Sequence, residues 1–126
     1  FFIRLLLYFD FYFIYIFLLL FIFTKMVENP QEFGVAEMDQ DGNVISIEEK
    51  PDMPKSNDAV VGAYMFDESV FEKISILQPS KRGEYEITDL CNLYVNEKNC
   101  KNSSIVGWWI DAGTPERIIE LEEKLA

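Results

Sequence analysis

The chain is predicted to be an α/β protein on three observations. Short runs with period-two alternation or continuous apolar character signal strands. Two stretches with apolar residues at i, i+3, i+4 and i+7 signal amphipathic helices. The two kinds mix along the chain without an internal repeat, which is the pattern of layered α/β architecture.

The elements can be assigned in order from Phe33. Residues 34–39 read as a strand, and Gln40-Asp41-Gly42-Asn43 carries the Asp-Gly hairpin signal. Residues 44–49 return as the partner strand, with Ile45, Ile47 and Glu49 expected on one face and Val44 and Glu48 on the other. Pro51 ends that strand, and 52–58 form a polar loop. Residues 59–66 read as a buried strand around Gly62, a residue that weakens strands and marks close approach of a ligand or another backbone. Asp67 is the expected N-cap of a helix running to about residue 78, with Val70, Phe71, Ile74 and Leu77 inward and Pro79 as its stop. A second helix is expected over 86–96, with Ile87, Leu90, Cys91, Tyr94 and Val95 as its buried stripe. A polar loop at 98–104 and a strand at 105–110 follow, and Asp111-Ala112-Gly113 turns out of that strand. Thr114 and Pro115 are N-cap and first residue of a last helix, with Ile118, Leu121 and Leu125 facing in.

A length of 126 residues fits one domain or part of one. The net charge of −11 argues against nucleic-acid binding, which needs a basic patch. Cys91 and Cys100 have no metal-site spacing and read as free thiols in a reducing compartment. No histidine is present, which excludes Ser-His and Cys-His nucleophiles and His-ligated metals. Any chemistry must use carboxylates, Lys, Arg, backbone groups and a hard cation.

Residues 1–25 form a separate hydrophobic segment, and 26–126 an ordinary acidic sequence. The uncharged run 11–23 is shorter than a membrane span, and extending it to Phe1 brings Asp10 into the bilayer. Arg4 ahead of an apolar stretch has no small-residue cleavage site after it. Phe, Leu, Ile and Tyr are what AT-rich codons specify, so the segment reads as an out-of-frame or misassembled leader. A membrane anchor and a native buried strand or helix are the alternatives.

The densest cluster of chemistry-bearing residues is Lys81-Arg82-Gly83-Glu84-Tyr85-Glu86-Ile87-Thr88-Asp89. Phe33-Gly34-Val35 and Glu48-Glu49-Lys50-Pro51 precede it, and Trp108-Trp109-Ile110-Asp111-Ala112-Gly113-Thr114 follows. In this order, from about Val27 to about Leu121, they resemble the C-terminal half of the sugar-1-phosphate nucleotidylyltransferases, glucose-1-phosphate thymidylyltransferase type. The resemblance implies the C-terminal part of a Rossmann-like nucleotidyltransferase domain with a mixed sheet.

That family transfers a nucleotidyl group from dTTP or UTP to a sugar 1-phosphate, giving a product such as dTDP-glucose and pyrophosphate for polysaccharide biosynthesis. The attacking group is already an anionic phosphate oxygen and needs no base. The protein must align two anions and neutralise them, which is work for cations, Mg²⁺ and donor-rich backbone. The resemblance assigns Asp111 to Mg²⁺ and makes Arg82 and Lys50 the catalytic cations on the sugar phosphate. It assigns Gly34, Glu49, Val60 and Gly62 to the sugar ring. On spacing alone Asp111 is equally a turn cap, Glu49 a solvated strand end, and Glu84, Glu86 and Asp89 acids at a helix N-terminus. Ala112 stands where the family often has Thr, and Tyr85 where it has Leu.

The family's N-terminal half carries a Gly-rich triphosphate loop, and no G-x-G run occurs here. The chain is therefore expected to hold the sugar-phosphate half of a site and to be inactive alone. The resemblance implies a cytoplasmic enzyme, open to homo-oligomerisation when intact, with membrane association only through residues 1–25. The reading from another class is a membrane-anchored, non-catalytic sugar-phosphate-binding module.

Overall fold

The computed structural model describes residues 19–81 and 83–126. Five strands, β1 (Leu20–Met26), β2 (Gly34–Met38), β3 (Val44–Glu49), β4 (Asp58–Met65) and β5 (Cys100–Ser104), form one sheet in the order β3-β2-β4-β1-β5. Among the described strands only β1 and β5 run parallel to each other; the other pairings are antiparallel. Three helices, α1 (Val70–Ile76), α2 (Ile87–Asn96) and α3 (Pro115–Leu125), and a 3₁₀ turn at Pro30–Glu32 complete a mixed α/β fold.

Residues 20–25, assigned from composition to the hydrophobic segment, make up most of β1. Leu20, Ile22 and Thr24 are fully buried, and Phe21 and Phe23 are half-buried. A strand covered on both faces, here one fully and the other in part, reads as a nearly continuous apolar run. Of the readings open for the segment, the buried strand is the one these residues adopt. The leader and anchor readings of residues 1–18 lie outside the described residues. Among the described residues no helix is long and apolar enough to cross a membrane.

The β2–β3 hairpin has its expected bounds to within a residue. Asp39 closes its turn, its carboxylate accepting from the N–H groups of Asp41 (2.9 Å) and Asn43 (2.8 Å) and from the Asn43 side-chain amide (2.9 Å). These bonds, the Asn43 amide foremost, hold the Asp39 carboxyl below its ordinary range. A carboxylate with a lowered folded-state pKa stabilises fully above its unfolded value, and the benefit is lost as pH falls through the folded value. Acid titration of thermal stability is therefore expected to be shallower in Asp39→Asn than in the parent below about pH 4; superimposable curves would remove the turn from the acid response.

The expected face parity of β3 is not kept. Register passes from Glu37↔Ser46 to Met38↔Val44, leaving Ile45 as a bulge. Val44 and Ile47 are buried while Ile45 is 49% exposed. Ile47 and Glu49 still share a face. β4 has a second irregularity: Ile22 pairs with Tyr64 and Thr24 with Val60, so residues 61–63 oppose Phe23 alone. Gly62 lies in that bulge at φ +78, where a side chain would be strained although no atom stands within 4 Å of its missing Cβ.

The strand expected at 105–110 is instead β5, and residues 105–113 form no regular element. Polar Asn102 is accommodated because fully buried Thr24 donates to its Oδ1 (2.9 Å) and its amide reaches Met38 Sδ (3.4 Å). As an edge strand, β5 needs only one row of ladder bonds, and its polar residues blunt the edge. Gly107, at φ +92, turns the chain away.

The helix α1 starts at residue 70, later than Asp67 predicts. Asp67 is buried and accepts from the Ser69 N–H (3.0 Å), the Ser69 hydroxyl (2.6 Å) and the Tyr94 hydroxyl (2.9 Å). The expected inward stripes of α1 and α3 are not buried: Phe71 is 76% exposed and Leu125 70%. The cap of α3 is as expected, with Thr114 accepting from the Arg117 N–H (3.3 Å). The core lies between the sheet and α2, from Leu20, Ile22, Ala36, Val44, Ile47, Cys91, Tyr94, Val95 and Cys100. Both thiols are free and buried, and burial pushes each up to about 12.

Candidate functional site

A cleft of about 290 Å³ opens between the start of β2, the end of β3, the bulge of β4, the first turn of α2 and the irregular segment after β5. Gly34, Glu49, Lys50, Val60, Gly62 and Asp111 all line it. Six of the seven residues singled out in the sequence therefore meet in one place, drawn from four separate segments. The seventh, Arg82, lies outside the described residues.

Register explains part of the convergence. Gly34 pairs with Glu49 across the hairpin. A Cβ on Gly34 would stand 3.3 Å from Glu49 Oε2 and 3.7 Å from Thr88 Oγ1. The absence of a side chain at Gly34 thus lets the Glu49 carboxylate lie close against the β2 backbone at the edge of the cleft. Thr88, from the first turn of α2, donates to Glu49 Oε2 at 2.8 Å. One carboxylate oxygen is thus fixed from within the protein.

Lys50 follows β3 at φ 43, an uncommon conformation for a residue other than glycine. Its N–H donates to the Phe33 carbonyl at 3.0 Å. Asp111 does not sit at a strand end, because the strand expected before it is absent. It lies exposed in the irregular segment, with its carboxylate oxygens 3.3 and 3.5 Å from where a Gly113 Cβ would be. Trp109, two residues earlier, meets Phe33 edge-on with ring centroids 5.5 Å apart.

Thr88, Tyr64, Phe33, Glu32, Ile87, Cys91 and Trp109 also line the cleft, and sequence reasoning assigned none of them to a site. Thr88 had a signal: it stands three and seven residues before Cys91 and Val95, on the buried stripe of its helix. Tyr64 is held neutral, its hydroxyl pushed up to about 12 by burial and then by Cys91 and Glu49.

Among the described lining residues there are three carboxylates, Glu32, Glu49 and Asp111, and one cation, Lys50. Such a cleft favours a cation beside any bound anion. No group of three or more His, Cys, Asp or Glu able to hold a metal occurs among the described residues. Asp111 offers an exposed carboxylate, a kind of ligand that Mg²⁺ takes one or two of before completing its shell with phosphates and water.

The nucleotidyl transferase family model matches residues 17–126. The chain belongs to this family. The match begins inside the hydrophobic segment, ahead of Val27 where the motifs become readable. Among curated family members, a low-salt glycan biosynthesis nucleotidyltransferase of Haloferax volcanii is 47% identical over 98 residues, 77% of this chain and 28% of that protein. A glucose-1-phosphate thymidylyltransferase of Neisseria gonorrhoeae is 43% identical over 102 residues, 79% of this chain and 35% of that protein. A solved Bacillus anthracis structure, described as a glucose-1-phosphate thymidylyltransferase with sucrose, superposes with a TM-score of 0.79 at 37% identity. It covers 92% of this chain, which spans 47% of it. The chain thus spans about a third of these curated relatives and about half of the solved one.

Proposed function

We propose that this nucleotidyl transferase chain forms the sugar-phosphate side of a glucose-1-phosphate thymidylyltransferase type site. The enzyme would transfer a nucleotidyl group from dTTP, with UTP as the other donor, to glucose 1-phosphate. An oxygen of the sugar phosphate forms a bond to the α-phosphorus, the bond to the β-phosphate breaks, and pyrophosphate leaves. The observation that carries this reading is the convergence of Gly34, Glu49, Lys50, Val60, Gly62 and Asp111 on one cleft.

Each group has a role that its chemistry allows. Lys50 neutralises the sugar phosphate as a compact charge, with Arg82 as its partner. Glu49, oriented by Thr88, accepts sugar hydroxyls through its remaining lone pairs. The bulge at Gly62 removes a side chain from the ring's approach. Asp111 would hold Mg²⁺, which when bound supplies charge neutralisation across the phosphates. No general base is required.

Calorimetric titration tests the reading. Glucose 1-phosphate with Mg²⁺ is expected to bind the 126-residue chain saturably, and glucose alone more weakly by about one to two decades. That is the worth of a charge-assisted contact of about 1.5–3 kcal/mol. Equal affinity for the two ligands would remove the phosphate site.

A further inference from the structure

The segment 105–113 carries Asp111 without a helix or strand to hold it. At its start, Ile105 N–H donates to the Thr24 carbonyl (2.8 Å), and the Lys25 ammonium reaches the carbonyls of Ile105 and Gly107. Farther along, the ring contact of Trp109 with Phe33 fixes it to the opposite wall of the cleft. Past Asp111, Arg117 on α3 pairs with Glu32 at 3.3 Å, beside Phe33. The same Phe33 accepts the Lys50 N–H through its carbonyl, at the residue held at φ 43. One residue therefore contacts both the segment that bears the carboxylate and the backbone that aims the cation.

We infer that Phe33 is a positioning residue that sets Asp111 and Lys50 relative to each other, its ring acting through Trp109 and its carbonyl through the Lys50 backbone. This rests on the functional reading above for the roles of Asp111 and Lys50, but the positioning itself does not. The ring contact is the stronger anchor of the two on the Asp111 segment. A partly desolvated aromatic pair outweighs its area alone, whereas the Glu32–Arg117 pair is half exposed and screened.

The test is ¹⁵N relaxation of the backbone at 108–113 and of the Trp109 indole in the 126-residue chain, with Phe33→Leu, Phe33→Tyr and Arg117→Gln as variants. Phe33→Leu keeps the carbonyl and the apolar bulk and removes the aromatic edge. Order parameters at 109–111 are expected to fall from the rigid range, about 0.85, toward about 0.6 in Phe33→Leu, to return to parent values in Phe33→Tyr, and to stay at parent values in Arg117→Gln. Order parameters in α2 serve as the internal check on folding and are expected to be unchanged. Parent-like order parameters at 109–111 in Phe33→Leu, or a larger effect from Arg117→Gln, overturn the inference. The second readout is titration of glucose 1-phosphate with and without Mg²⁺. The Mg²⁺-dependent gain in affinity is expected to shrink about two- to tenfold in Phe33→Leu and to recover in Phe33→Tyr. A parent chain that binds no glucose 1-phosphate overturns the functional reading, while the relaxation data still decide the positioning role.

Discussion

Replacing Asp111 by asparagine is expected to remove nearly all nucleotidyl transfer from a chimaera in which this chain stands in for the matching segment of the Neisseria gonorrhoeae relative. The substitution keeps the shape of the side chain and removes the charge that attracts a hard cation. A metal ion contributes several kcal/mol to charge stabilisation in such transfers, and about 1.4 kcal/mol is a factor of ten. A loss of about two decades or more in pyrophosphate release is therefore expected, with little recovery as Mg²⁺ is raised. Thermal stability should barely change, because Asp111 is exposed and surface substitutions usually stay within about 0.5 kcal/mol. Activity within a few-fold of the parent across Mg²⁺ concentrations would take the metal role away from Asp111.

The second large effect is expected at Lys50. In the same chimaera, Lys50→Ala should raise KM for glucose 1-phosphate about one to two decades and leave KM for the nucleoside triphosphate nearly unchanged. The estimate is the worth of a charge-assisted hydrogen bond, about 1.5–3 kcal/mol. The substitution leaves the backbone strain as it was, since alanine is no more at ease at φ 43 than lysine. Lys50→Gly relieves the strain and still lacks the charge, so it is expected to lose glucose 1-phosphate affinity as Lys50→Ala does. Equal losses toward both substrates in Lys50→Ala would make Lys50 a structural residue.

How much of this was legible in the sequence depended on whether the signal was local. The hairpin was readable because Asp-Gly sets its turn and Pro51 its end, and the start of α3 because Thr114-Pro115 is a cap with its first residue. Helix α2 was readable from its apolar stripe. The edge strand β5 was not, because a buried threonine on its neighbour satisfies an asparagine that local pattern assigns to a loop. Nor was the parity of β3, which depends on a bulge visible only in the pairing with β2. The exposed stripes of α1 and α3 show the reverse failure: periodicity reveals which face is apolar, but not what lies against it. The same division runs through the site. Lys50, Glu49 and Asp111, which line the cleft, were singled out through motifs contiguous in the chain. Thr88 touches Glu49 across 39 residues, and Phe33 touches Trp109 across a longer gap, distances that no local pattern spans.

The position of β1 has a consequence for how the molecule reaches this state. This strand is bordered by β4 on one side and by β5 on the other, and β5 comes from residues 100–104. Its pairing with β5 joins the first described strand to the last, and closing so long a loop carries its entropic cost before any contact repays it. Contacts of such sequence separation slow folding. During synthesis the hairpin of β2 and β3 can form as soon as it clears the ribosome, whereas β1 keeps one edge open until residue 104 has emerged. A chain stalled before that point would present an unpaired apolar strand edge, and hence a binding site for chaperones or for other nascent copies.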